Sequence, residues 1–224
     1  MRIILLFLVV VFMMPISVFA ADDFVLQKNV HDMNRLKPLQ NPRYIRFEKV
    51  LKRKVIDSHN KVIGEVDDIL VDAKGHVSSL HVVFDRLHLR QSVYLNYGAL
   101  DIESVSNGYR LSFDDEQVAA LYPEFLANIE TASGQSDVFS LSSVIGQKVI
   151  NAKGRKIGQV SDILFDDTAR TAKALYINVN YKTTRDQGVA VPFSKVSLDY
   201  TGARLAVHLP QDLSAVVLNY AAEK

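Results

Sequence analysis

The chain of 224 residues has no cysteine and no tryptophan, only six prolines, and nearly balanced charge, 26 basic side chains against 25 acidic. Without thiols it forms neither disulfides nor cysteine metal sites, so its stability rests on packing. Balanced charge excludes the broad basic face of a nucleic-acid binder, and no nucleic-acid partner is expected. Beyond residues 3–21 no apolar run is long enough to cross a bilayer as a helix. No Gly-rich phosphate loop opens a helix after a strand, and no serine sits in a G-x-S-x-G elbow. The six histidines, His31, His59, His76, His81, His88 and His208, make no H-x-H or H-E-x-x-H spacing. Neither metal nor cofactor is expected, and no catalytic residue set emerges.

With 48% hydrophobic and 23% charged residues the composition is that of a folded protein. Met1-Arg2, the apolar run 3–14, Pro15 and Val18-Phe19-Ala20 read as a secretory signal cut after Ala20, which predicts a periplasmic or secreted product. Left uncut, the same run would tether the chain to the inner membrane. Residues 21–44 form a leader in which Pro38 and Pro42 bracket a turn. Between residues 28 and 54 stand nine basic residues, Lys28, Arg35, Lys37, Arg43, Arg46, Lys49, Lys52, Arg53 and Lys54, against Asp32 and Glu48. Two readings are open: a solvated leader without a strong helical stripe, or a surface for anionic lipid or an acidic envelope polymer.

The organising feature is a repeat at an offset of 94 residues. From Lys54 to Asp72 against Lys148 to Asp166, 10 of 19 positions are identical, which predicts two similar domains. In Val62-Ile63-Gly64-Glu65-Val66-Asp67-Asp68-Ile69-Leu70-Val71-Asp72, apolar residues occupy one side of a period-two zigzag early and both sides later. That is the pattern of a long strand bending around a small barrel. Gly64 and Gly158 mark the expected bend or a close backbone approach. Asp68 and Asp162 lie in apolar surroundings, where their carboxylates are expected to accept bonds from turn amides. Asp72 and Asp166 recur at the strand ends.

These elements resemble the PRC-barrel family. The resemblance rests on Lys54-Val55-Ile56-Asp57, Val62 to Asp72 and Val77 to Val83. In the second copy it rests on Ile145 to Ile150, Lys156 to Val160, Asp162 to Asp166 and Val189 to Phe193. Lys52 stands where the second copy has Gly146, and Tyr94-Leu95-Asn96-Tyr97 where it has Ala190-Val191-Pro192-Phe193. The resemblance implies a mainly β chain of two tandem, six-stranded PRC-type barrels acting as docking modules, with no shared catalytic residues to carry over.

In chain order the expectation is a signal at 1–20, the leader at 21–44, a first barrel at 45–127, a small polar linker at 128–138 and a second barrel at 139–224. Strands are expected at 53–57, 62–72, 76–85, 92–97, 99–105 and 109–113, with a hairpin turn at Asn107-Gly108. The acids Asp114-Asp115-Glu116 open a helix that Pro123 shortens or kinks. Leu213, Val216, Val217 and Tyr220, at helical spacing after Pro210, make a second short helix. Tyr94, Tyr97, Tyr181 and Phe193 are either core residues or aromatic anchors for a partner, and Lys49, Lys52, Arg53 and Lys54 are candidate electrostatic anchors. His76, His81, Arg86, His88 and Arg90 are gathered near one strand end. The function expected is an exported, non-enzymatic docking or scaffold protein that binds a protein partner or an envelope membrane complex. The alternatives are peripheral binding to an anionic membrane surface through the leader and, third, an enzyme using Asp68 or Asp162.

Overall fold

A computed structural model describes residues 19–85, 92–106, 108–133, 137–179, 187–201 and 204–223. The described elements begin with helix α1 (Phe19–Asn34), a 3-10 turn at Pro38–Gln40, β1 (Ile45–Arg46) and helix α2 (Phe47–Leu51). Six strands follow: β2 (Lys54–Ile56), β3 (Val62–Asp72), β4 (Val77–Phe84), β5 (Val93–Asn96), β6 (Glu103–Val105) and β7 (Gly108–Arg110). Next come α3 (Asp115–Ser133), β8 (Val138–Ser140), α4 (Leu141–Val144), β9 (Lys148–Asn151), β10 (Lys156–Phe165) and β11 (Ala172–Val179). The chain closes with β12 (Gln187–Pro192), a 3-10 turn at Phe193–Lys195, β13 (Ser197–Thr201), β14 (Arg204–Leu209) and α5 (Gln211–Ala222). The fold is mainly β, with 14 strands among the described residues.

The strands form two sheets of one plan, ordered β5-β4-β3-β2-β7-β6 and β12-β11-β10-β9-β14-β13. Neighbours run antiparallel except β2 with β7 and β9 with β14, which are parallel. Period-two burial builds each core: Leu80, Val82 and Phe84 point inward from β4, and Leu175, Ile177 and Val179 from β11. Each such side chain contributes about 1.5–3 kcal/mol by leaving water.

The long strands β3 and β10 slip in register at three places, the last between Leu70 and Val71 and between Leu164 and Phe165. Against β2 and β9 the register slips just before Gly64 and Gly158; against β4 and β11 it slips at Asp67 and Ser161. These bulges turn the apolar pattern from one face to both. The glycines serve close approach, since a Cβ would meet Val83 O at 2.6 Å from Gly64 and Asn178 O at 2.2 Å from Gly158.

The short lead-in before each sheet crosses to the other one. β1 pairs with β10, Ile45 opposite Phe165, while β8 pairs with β3, Phe139 opposite Val71. The hairpin tips also meet, through a bridge between His76 and Thr171 and bonds from Val77 N to Arg170 O and Ala172 N to Gly75 O. Most buried apolar residues of both sheets consequently form one continuous cluster, with Leu164, Ala174 and Ala190 in a small second one.

Four expectations change. The leader is not a solvated tail over 21–34: that stretch lies in helix α1, with Leu26, Val30 and Asn34 buried at a four-residue spacing against α5 and β12. Helix α3 runs on through Pro123 to Ser133, because Val118, Tyr122 and Phe125 anchor one face on both sides of the proline. The expected linker is accordingly helical through Ser133, and Val138 already belongs to β8. The strand expected at 99–105 begins only at Glu103, after a turn with Asp101 at φ 47°. Asn107 lies outside the described residues. The acid-rich start of α3 behaves as read: Asp114 Oδ1 accepts from Glu116 N and Gln117 N, and Gln117 Oε1 accepts from Asp114 N, a capping box.

Candidate functional site

The two repeated aspartates sit where each lead-in crosses over. Asp68 is 8% exposed and accepts four bonds: Ile69 N at 2.7 Å, Ser142 N at 3.0 Å and Ser142 Oγ at 2.9 Å on Oδ1, and Ser140 Oγ at 2.6 Å on Oδ2. Three of the four come from β8 and α4. Asp162 is 5% exposed; it accepts Ile163 N at 2.8 Å on one oxygen and Arg46 Nε at 2.5 Å on the other. Arg46 and Ser140 are related by the same 94-residue offset, so corresponding positions clasp corresponding acids from opposite directions. The Asp162 hydrogen bond holds the Arg46 guanidinium above its usual pKa, against some desolvation. The expectation of turn-amide donors is half right: amides contribute, but the decisive donors are Ser140, Ser142 and Arg46, which the repeat offset exposes only once it is extended before residue 54.

Asp72 and Asp166 are turn acids. Asp72 Oδ1 accepts from Lys74 N and His76 N, and Asp166 Oδ1 from Thr168 Oγ1 and Arg170 N. Burial pushes the Asp72 carboxyl up, but the His76 and Lys74 bonds outweigh it and leave its pKa below the usual value.

Beside Asp68, the bulge at Asp67 aims a second carboxylate outward, 58% exposed, with Oδ2 3.4 Å from His81 Nδ1 and 3.3 Å from the donating Ser92 Oγ. The His81 ring stacks on Tyr94 with centroids 4.4 Å apart. Burial lowers the His81 pKa, with Asp67 and Asp68 opposing, and burial together with the two acids raises that of Tyr94. Tyr200, 51% exposed, stacks on Phe139 of the crossed strand at 5.9 Å. It borders an open cleft of about 700 Å³ with Ser142, Gln147 and Lys148. Acid, imidazole and aromatic faces of this kind can hold a polar or cationic group of a partner by hydrogen bonding and ring contact.

The other predicted anchors are distributed differently. Phe193 is 1% exposed and Arg53 8%, so neither offers surface: Phe193 belongs to the core, and the Arg53 guanidinium lies 5.7 Å over the Tyr109 ring. Tyr97 faces the junction of the two sheets, edge-on to Tyr109 and beneath Arg170 at 5.5 Å. Lys49 and Lys52 are exposed, whereas Lys54 is tied to Glu65. Tyr181, Arg86, His88 and Arg90 lie outside the described residues, so of the expected histidine and arginine patch only His76 and His81 are placed. Among the described residues no three His, Asp or Glu side chains gather as a metal site, and no helix is long and apolar enough to cross a membrane.

Residues 136–208 match the PRC-barrel domain family. The match begins just before β8, so its first strand is the one that lies on the other sheet. Comparison with curated proteins finds no match.

Proposed function

We propose that the chain is an exported, non-enzymatic scaffold of two PRC-type barrels in tandem that holds a protein partner, either an envelope protein or a membrane complex. The observation that carries this reading is the reciprocal clasp. It joins two sheets into one platform and commits the buried acids Asp68 and Asp162 to structure. The nearest outward-facing chemistry is the Asp67, His81, Tyr94 and Tyr200 group, where rigid rings provide contact area at small entropic cost. In-cell crosslinking of the processed protein, followed by identification of attached chains, tests it. One recurrent partner is expected, and its yield should fall when Tyr94 and Tyr200 are both changed to Ala. Recovery of no recurrent partner overturns the reading. Export is tested separately by sequencing the amino terminus, expected at Ala21.

A second reading, association with an anionic membrane surface, is favoured by exposed Phe24 and Val25 on α1, on which Lys28 is also exposed, with Arg35, Lys37 and Arg43 exposed just after it. Each well-placed cation contributes about 1 kcal/mol at such a surface. Changing Lys28, Arg35, Lys37 and Arg43 to Gln should release the protein from phosphatidylglycerol vesicles, as should added salt. Vesicle binding insensitive to both rejects it.

A further inference from the structure

The outer edge of β12, the last strand of its sheet, is closed in an uncommon way. Asn34, 2% exposed, accepts a bond from Ala190 N on Oδ1 and donates from Nδ2 to Ala190 O, both 2.8 Å. Its amide thus imitates one residue of a neighbouring strand. Nδ2 also donates to Val30 O at 2.7 Å, which fixes the rotamer. Further along the edge, Pro192 has no N–H to offer.

Leu26 and Val30 fix the body of α1 in the main core and His31 packs edge-on to Tyr220 of α5, but the end of the strap that delivers Asn34 rests on a smaller footing. Met33, Leu39 and Tyr44 cover a small apolar cluster of Leu164, Ala174 and Ala190, separate from the main core. Open clefts of about 650 and 630 Å³ flank Met33, Arg43 and Tyr44, and a smaller one of about 170 Å³ separates α1 from α5 at His31 and Val216. At the end of α1, Lys37 is left-handed, φ 48° and ψ 82°, directly before Pro38. Both the side chain and the following proline disfavour that conformation, and freeing α1 would release the strain.

We propose that the β12 edge is a strand-addition site for an extended segment of a partner protein, kept shut by α1 through Asn34. The inference rests on the docking reading above and names its mode. When α1 lifts, Ala190 offers one N–H and one C=O to an incoming strand. A large apolar residue of that strand takes the place of Met33 over the small floor of Ala174 and Ala190.

The test uses the full chain and a labelled octapeptide of alternating Val and Thr with one central Leu. Asn34→Ala should speed amide exchange at Ala190 by about tenfold or more, leave Ile177 in mid-sheet unchanged, and bind the peptide about tenfold tighter than the parent. Lys37→Asn, which tolerates the left-handed backbone, should bind it about threefold more weakly. Equal affinity in all three proteins, or unchanged exchange at Ala190, overturns the proposal. Concentration-dependent dimers of Asn34→Ala that exclude the peptide also overturn it, by assigning the edge to a second copy of the chain. If Asn34→Ala does not fold, Lys37→Asn decides alone: unchanged affinity overturns the proposal and weakened affinity supports it. None of these readouts needs the cellular partner, so failure here leaves the crosslinking result to stand or fall separately.

Discussion

The two repeats share a strand order and a clasp, yet they solve the clasp with different chemistry. In the first, Asp68 is met by two serines and two amides; in the second, Asp162 is met by one arginine, 36% exposed, and one amide. A buried carboxylate met only by neutral donors needs several of them to be worth burying, whereas one paired with a cation tolerates a partly wet partner. The repeated acid therefore specifies where the other half docks, and the residue that meets it is free to change.

The largest effects should come from breaking that symmetry. Asp68→Ala removes the acceptor of four bonds at once, although exposed Ser142 can turn to water and Ser140 keeps Ser143, and should cost about 2–3 kcal/mol in urea denaturation. Asp162→Ala should cost about 1–2 kcal/mol, because Arg46 keeps its existing pair with Glu48, at 3.1 Å, and is open to water. Equal losses would erase the distinction. Next come two equivalent left-handed positions, Gly75 at φ 88° and Ala169 at φ 54°. Gly75→Ala places a methyl 2.5 Å from Ala172 O and 2.9 Å from the Phe193 ring, an expected loss of about 2–3 kcal/mol. Ala169→Gly relieves strain but gives up a buried methyl and chain stiffness, and should stay within about 1 kcal/mol of the parent. A smaller contrast involves Gly146, at φ 80°, against Lys52, at φ −94°. Gly146→Lys should cost about 1–2 kcal/mol from backbone strain alone, and Lys52→Gly less than about 1 kcal/mol.

The smallest effect is electrostatic and confined to the first repeat, since Tyr176 takes the place of His81 in the second. The folded His81 pKa lies below its unfolded value of 6.5, so the stability it contributes is complete above that pH. It is lost as pH falls through the folded value. Melting temperatures followed from about pH 7.5 to about pH 5 should decline less in His81→Tyr than in the parent. Parallel profiles would mean that His81 is not a source of the pH response.

Much of this was legible in the residues. Alternation gave the inward faces of β4 and β11, the acids Asp114-Asp115-Glu116 gave the start of α3, and the 94-residue offset gave two matching sheets. What escaped was whatever depends on tertiary partners. Leu26, Val30 and Met33 form a short stripe that three strongly polar turns dilute, so α1 looked like a solvated leader. Arg53 reads as a surface cation, and Phe193 as either core or anchor, because a guanidinium over a ring and a phenylalanine in a 3-10 turn carry no periodic mark of burial. The clasp was hidden because Arg46 and Ser140 are dissimilar residues at equivalent positions, and only their acids repeat.

The crossing of the lead-ins also bears on how the chain comes to be made. Arg46 must wait for Asp162, 116 residues further on, and ordering so long an intervening stretch slows folding. A nascent chain halted after α3 would hold a raw edge on β3 and an idle β1, each a site for stray pairing. Completion of the carboxy-terminal half is thus the event that seals the amino-terminal one.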